Sequence, residues 1–325
     1  MLSIDCQSHV FPQEYAELLT RNKGRLQTSG GGGIYTINYW DVQRFRLDLE
    51  LYSIERKLAA MDAAGIDMSV LSVNIPSPEL LDPELALQGA QICNNFLAEI
   101  CQKYPERFVA IASLALSDVA SAITELDRAI DELDLRGVFL VSNINDHPLD
   151  APQFEPFYAH VAARNIPLVL HPTVASWQGS IQSHSMIPMM GFMIDTSFGM
   201  MQLLLGGVLE RHPTLKVVHP HTGGVVPYLM GRIQEQTEVK GRGRDNITKP
   251  PMDYYENVYQ DLVSPSAQAI RYAVEFSRPD RLLFGSDHPW VSIETILDPV
   301  RELDIPQEVR SMIMGQNASR LFGIE

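Results

Sequence analysis

Cysteine is scarce in this chain, with only Cys6, Cys93 and Cys101 in 325 residues. They are too few and too scattered for a disulfide framework or a zinc ribbon, and a reducing compartment fits. Basic charge is also short. The 25 Lys and Arg against 40 Asp and Glu leave a net charge of −15, which argues against a phosphate-backbone partner and so against nucleic acid. Long apolar runs are missing, since none reaches the ~18 residues that would span a bilayer. No charged-then-apolar leader precedes the first strand. The expectation is a cytoplasmic protein with no membrane partner. What is present, 45% hydrophobic and 20% charged residues, is a globular composition.

Length alone allows one large barrel or two ordinary domains. The hydrophobic pattern is more specific, because strands and helices alternate from Ser53 onward. A helix over 53–64 ends at Gly65 and is followed by a buried strand over 66–73. Asp82-Pro83 then opens a helix to Tyr104. Further strands are expected over 107–113, 137–141, 166–171, 215–219, 257–262 and 281–286, each followed by a helix. With the first strand, Ile4–Val10, this makes eight, the pattern of a (β/α)8 TIM barrel. The whole chain, 1–325, reads as a single barrel domain carrying a long irregular insertion at about 13–51. A second long loop over 173–190 contains Trp177 and His184. Both loops are expected to overhang the mouth and set the substrate.

The polar residues at the strand ends carry the chemistry. On the first strand, alternation puts Asp5, Gln7 and His9 on one face, with Gln7 and His9 at the C-terminal end. The fifth strand ends at His171-Pro172, the sixth at His219-Pro220-His221, and the eighth at Ser286-Asp287-His288. Barrel closure brings all four ends to one rim. Two or three imidazoles and a carboxylate there form a ligand set for a divalent transition metal with a position left open for water. His221 is the candidate proton carrier, because imidazole titrates in the useful range and Gly223-Gly224 permit close approach. His219 is expected to support it from behind.

These motifs together resemble one family. They comprise Ile-Asp-x-Gln-x-His-x-Phe-Pro at 4–12, Leu-His-Pro at 170–172, Gly-Gly-Val-Leu-Glu-Arg-His-Pro at 206–213, His-Thr-Gly-Gly at 221–224 with Gly231-Arg232, and Gly-Ser-Asp-His-Pro at 285–289. The set is similar to the amidohydrolase-related family (amidohydrolase 2) that includes aminocarboxymuconate-semialdehyde decarboxylase. The resemblance implies a metal-binding site holding one divalent ion, zinc first, with manganese or iron as alternatives. It implies His9, His171 and Asp287 as ligands, with Gln7 where the family usually has a histidine. Catalysis would fall to His221 and Asp287, and substrate binding to Arg232, Trp177 and an insertion arginine, Arg46 or Arg44. Arg232 matches an arginine that reaches the neighbouring subunit's substrate, which implies a homodimer. The ends of strands four and five lack a bridging lysine or glutamate, so a mononuclear site is expected.

The leading functional expectation is a metal-dependent, non-oxidative decarboxylase of a small aromatic or unsaturated carboxylic acid. A hydrolase of a lactone, ester or amide at the same centre is the alternative. A third reading, prompted by Gln7, is a metal-poor subunit that supports an active partner.

Overall fold

The computed structural model describes residues 2–324. Nine short strands form the central sheet: β1 (Ile4–Val10), β5 (Met68–Val73), β6 (Phe108–Ala110), β7 (Ala112–Ser113), β8 (Val138–Val141), β9 (Leu168–His171), β10 (Val217–His219), β11 (Tyr259–Asp261) and β12 (Leu282–Leu283). All of their ladders are parallel, in the order β1-β5-β6 and β7-β8-β9-β10-β11-β12. Strands β6 and β7 are one barrel strand interrupted at Ile111, whose N–H donates to Leu71 O at 2.9 Å while Ala112 N–H donates to Gly137 O at 2.8 Å. Cys6 N–H to Phe284 O at 2.9 Å and Asp287 N–H to Gln7 O at 2.9 Å close the last strand onto the first. The result is the (β/α)8 barrel that the alternation predicts.

The helices are capped where the sequence says they begin. Helices α2 (Ile54–Ala64), α4 (Val119–Asp131) and α10 (Ala267–Phe276) each start after a residue whose side chain accepts a first-turn N–H, namely Ser53, Asp118 and Ser266. Helix α3 (Pro83–Lys103) starts on its proline. The outer ring is completed by α5 (Glu155–Ala163), α6 (Phe192–Leu205), α7 (Val208–Arg211), α8 (Val226–Gln234), α9 (Pro251–Tyr255), α11 (Ile293–Arg301) and the closing helices. One internal tie is buried and polar. Asn94 on α3 accepts from Ser113 N at 2.8 Å and donates to Ser113 O at 3.1 Å, pairing backbone groups that the short β7 leaves free.

The insertion at 13–51 is not irregular. It folds as α1 (Gln13–Leu19) and a three-stranded antiparallel sheet of β2 (Leu26–Gly31), β3 (Ile34–Tyr39) and β4 (Gln43–Asp48). Gly31 pairs with Ile34, so Gly32-Gly33 is a two-residue hairpin turn. Both turn residues have positive φ, 61° and 86°, which glycine adopts without penalty. Along β3, Tyr35, Ile37 and Tyr39 are buried while Ile34 and Thr36 are exposed. The buried set joins a core with Tyr15, Leu18 and Leu85. Period-two alternation therefore decides the local structure, and the glycine run serves the turn.

Candidate functional site

The rim at the C-terminal ends of the strands gathers residues from the whole length of the chain. His9 on β1, His171 on β9 and Asp287 beyond β12 present ligand atoms that all lie within 4.8 Å of one another. His9 Nε2 stands 3.1 Å from Asp287 Oδ1, and the His9 and His171 rings meet edge to face at 4.9 Å. His221 Nε2 is 3.8 Å from Asp287 Oδ2. His221 sits in a run of positive-φ residues, His221 at 56°, Thr222 at 56° and Gly223 at 78°. Asp261 Oδ1 accepts the His221 N–H at 2.7 Å and holds that turn. At Gly224 a Cβ would meet Ser197 Oγ at 2.4 Å and Met193 O at 2.7 Å, so the turn seats against α6 only with glycine there.

Burial and neighbouring charge set the protonation states. Burial drives the His171 pKa well below the ordinary range, helped by the His9 ring beside it. Burial alone would raise the pKa of Asp287, but hydrogen bonds and charge from His221 and His9 outweigh it and hold the carboxyl well below the usual range. For His221, burial pulls downward while the Asp287 carboxylate lifts its pKa above the ordinary value. His219 is pushed down to about 3 by burial and by His221. Its Nδ1 meets Tyr255 Oη at 2.8 Å, so it stays a neutral prop behind the site.

The donor set fits a divalent cation. His9 Nδ1 is occupied by Ser72 Oγ at 2.9 Å, and His171 Nδ1 by Pro172 O at 2.8 Å. In both rings this leaves Nε2 as the nitrogen available to an ion, and in His9 it already faces the Asp287 carboxylate, the orientation that metal-ligating histidines require. Gln7 adds a separate sign. Its side chain is buried and neither Oε1 nor Nε2 has a hydrogen-bond partner, a costly state for an amide unless it serves a ligand. Among the described residues, His9, His171 and Asp287 are the one group of three or more His, Cys, Asp or Glu side chains placed to share an ion.

The structure separates the remaining expected residues from the site. On β4 the pleat turns Gln43 and Phe45 toward the cavity and exposes Arg44 and Arg46. Arg46 pairs with Asp48 at 3.3 Å. Trp177 does not line the cavity. Its Nε1–H donates to the buried Asp195 at 3.0 Å, which also accepts from Ser142 and from Asn143, so Trp177 anchors the 173–191 segment. Arg232 is exposed on α8 and lies outside its own chain's cavity. The expected common face of Asp5, Gln7 and His9 does not hold either. Pairing with β5 slips between Asp5 and Ser8, and Asp5 instead accepts from Ser286 N at 2.9 Å and Ser286 Oγ at 2.6 Å.

Two functional residues, Asp261 and Lys57, escape the sequence reading, and Asp5 and His288 take roles that it does not assign. Asp261 holds the His221 turn. Asp5 ties β1 to Ser286. Lys57 of α2, fully buried, donates to Ser8 Oγ at 2.6 Å and reaches His288 Nδ1 at 3.0 Å and His288 O at 3.3 Å. Together Asp5, Lys57 and His288 fix the loop that carries Asp287. A polar pair, Gln260-Asp261, closing a buried strand was the signal available for Asp261, but nothing local in α2 marks Lys57 as buried.

A cavity of about 830 Å³ opens over this cluster, with His171, His221 and Asp287 at its floor and the 188–194 segment along one wall. The family model for amidohydrolase matches residues 4–324. Gamma-resorcylate decarboxylase of Rhizobium sp. (strain MTP-10005) is 31% identical over 304 residues, covering 89% of this chain and 91% of that protein. The 2-amino-3-carboxymuconate-6-semialdehyde decarboxylase of Dictyostelium discoideum is 24% identical, with 100% and 92% covered. The solved dihydroxybenzoic acid decarboxylase of Polaromonas sp. JS666, with bound manganese and the inhibitor 2-nitroresorcinol, superposes with a TM-score of 0.82. It is 25% identical over 99% of this chain and 97% of that one. The sequence motifs, the closed barrel and the histidine–aspartate cluster thus agree with these matches, and the chain belongs to the amidohydrolase family.

Proposed function

We propose that this protein is a divalent-metal-dependent, non-oxidative decarboxylase of a small aromatic carboxylic acid. The observation that carries the reading is the meeting of His9, His171 and Asp287 within 4.8 Å, with His221 beside them on the floor of a cavity. The decarboxylases of gamma-resorcylate and dihydroxybenzoic acid among its relatives support the reaction class. His9 and His171 through Nε2, Asp287 through its carboxylate and Gln7 through Oε1 would hold the ion. When bound, it supplies positive charge to the oxygens of the substrate.

The amide and carboxylate oxygens of Gln7 and Asp287 are hard donors, which favours manganese over zinc, the first expectation. The residues of the chain do the remaining work. The cavity floor orients the ring so that its carboxyl-bearing carbon faces His221. Decarboxylation breaks one carbon–carbon bond, releases CO2 and requires a proton at the same carbon. His221 supplies that proton, and the Asp287 carboxylate, 3.8 Å from its Nε2, favours the protonated imidazole until the transfer. Asp261 holds the His221 backbone while this happens.

The protein is further proposed to be a homodimer. Tyr228, 81% exposed, and Leu229 stand on the outer face of α8 with Arg232, an apolar and cationic surface suited to a second copy. Sedimentation should give twice the chain mass. The catalytic reading is tested by CO2 release from hydroxybenzoates, with His221→Ala expected to lose about 10²–10⁴-fold in turnover while retaining metal. Acid release from lactones or esters without CO2 would instead establish the hydrolase. Purification without metal after manganese-replete growth would favour the supporting subunit.

A further inference from the structure

The cavity over the cluster has no cationic wall. Among the described residues lining it there is no lysine or arginine, and its polar positions above the floor, such as Gln43, Asn74 and Ser264, are neutral. Arg25, Arg44 and Arg46 of the insertion do not line it. Arg44 and Arg46 are turned outward by the β4 pleat, and Arg25 packs 3.5 Å over the Trp40 ring while pairing with Asp146 at 2.8 Å. The walls are instead Phe45, Met189, Met190, Phe192, Trp290 and Val291. Of these, Met189 is 69% exposed and Met190 and Trp290 are each 53% exposed, while Phe45 and Trp290 make an edge contact at 6.2 Å. Exposed apolar side chains grouped at the mouth of a cavity mark a surface that a ligand covers. Methionine flanks suit a ligand of irregular outline.

We infer that the substrate is a monoanionic aromatic acid whose ring carries an apolar substituent directed toward Phe45, Met190 and Trp290, and that dicarboxylic acids are excluded. The inference rests on the decarboxylase reading for the position of the carboxylate at the floor. It follows from two physical terms. A second carboxylate desolvated against these walls would find no cationic partner among the lining residues of its own chain, a strongly unfavourable burial. An alkyl or aryl group placed there gains about threefold to fourfold in affinity per methylene removed from water. The size of the cavity, about 830 Å³, lies in the upper part of the ordinary range for small-molecule sites, about 300–1,000 Å³. It leaves room for more than a bare hydroxybenzoate.

The experiment is calorimetric titration of the manganese-loaded protein with 2-hydroxybenzoate, its 6-methyl, 6-propyl and 6-pentyl derivatives, and 5-carboxy-2-hydroxybenzoate. CO2 release is followed separately for each compound. Affinity should rise at least tenfold from the methyl to the pentyl compound, and the dicarboxylate should bind at least tenfold more weakly than the methyl compound. A flat response to chain length, tighter binding of the dicarboxylate, or no binding at all would overturn the inference. Tighter dicarboxylate binding would point to a cation delivered by a second chain. The binding order can hold with no CO2 released, in which case the decarboxylase reading alone fails. CO2 released preferentially from the dicarboxylate would leave that reading intact and sink this one.

Discussion

Glu79 offers a quantitative check on the packing of the turn Pro78–Leu80. It lies in the short turn after β5, is buried, and its carboxyl accepts from the Ser77 hydroxyl, with no Lys or Arg acting on it among the described residues. Burial raises its pKa from the ordinary 4.5 to about 7. The folded state therefore holds this proton more tightly than the unfolded chain does. The stability it contributes is complete below about pH 4.5 and is lost as pH rises through 7. At 1.36 kcal/mol per pKa unit, the loss relative to a neutral group is about 1 kcal/mol at pH 5 and about 3 kcal/mol at pH 8. Glu79→Gln keeps an acceptor oxygen for Ser77 and removes the titration. Urea unfolding of both proteins at pH 5 and pH 8 should show the variant gaining about 2–3 kcal/mol on the parent between the two conditions. Parallel pH dependences, within about 0.5 kcal/mol, would mean that Glu79 is hydrated in solution and that the turn is not packed as described.

Two further substitutions probe the frame of the site. Lys57→Met leaves Ser8 Oγ and the His288 ring without their buried donor. It should cost about 1–3 kcal/mol for each abandoned group, read by denaturant unfolding, and unchanged stability would remove Lys57 from the account. Trp177→Phe keeps one aromatic ring and loses the five-membered ring that carries the N–H to Asp195. It should cost about 1 kcal/mol in stability and raise KM more than it lowers kcat, because it loosens the wall segment and leaves His221 untouched.

The barrel was legible because buried parallel strands alternate with capped helices, and Ser53, Asp118 and Ser266 cap where their side chains suggest. His9, His171, His221 and Asp287 were legible because the barrel topology forces distant strand ends together. The insertion was not, because attention to the glycine run hid the alternation of Tyr35, Ile37 and Tyr39 around it. Arg46 or Arg44 was expected at the substrate, although Gln43-Arg44-Phe45-Arg46-Leu47 alternates inward and outward and exposes both arginines. Lys57 and Asp5 depend on contacts between α2, β1 and the last loop, and no local pattern reports those. Gln7 was visible as a departure, but only its unpartnered, buried amide gives it a role.

The most direct measurement is manganese content by mass spectrometry of the dialysed protein and of His171→Ala. The account predicts about one ion per chain for the parent, as in a mononuclear site, with nearly all of it lost from a variant that remains folded by circular dichroism. Equal metal in both proteins would place the ion elsewhere and contradict the site.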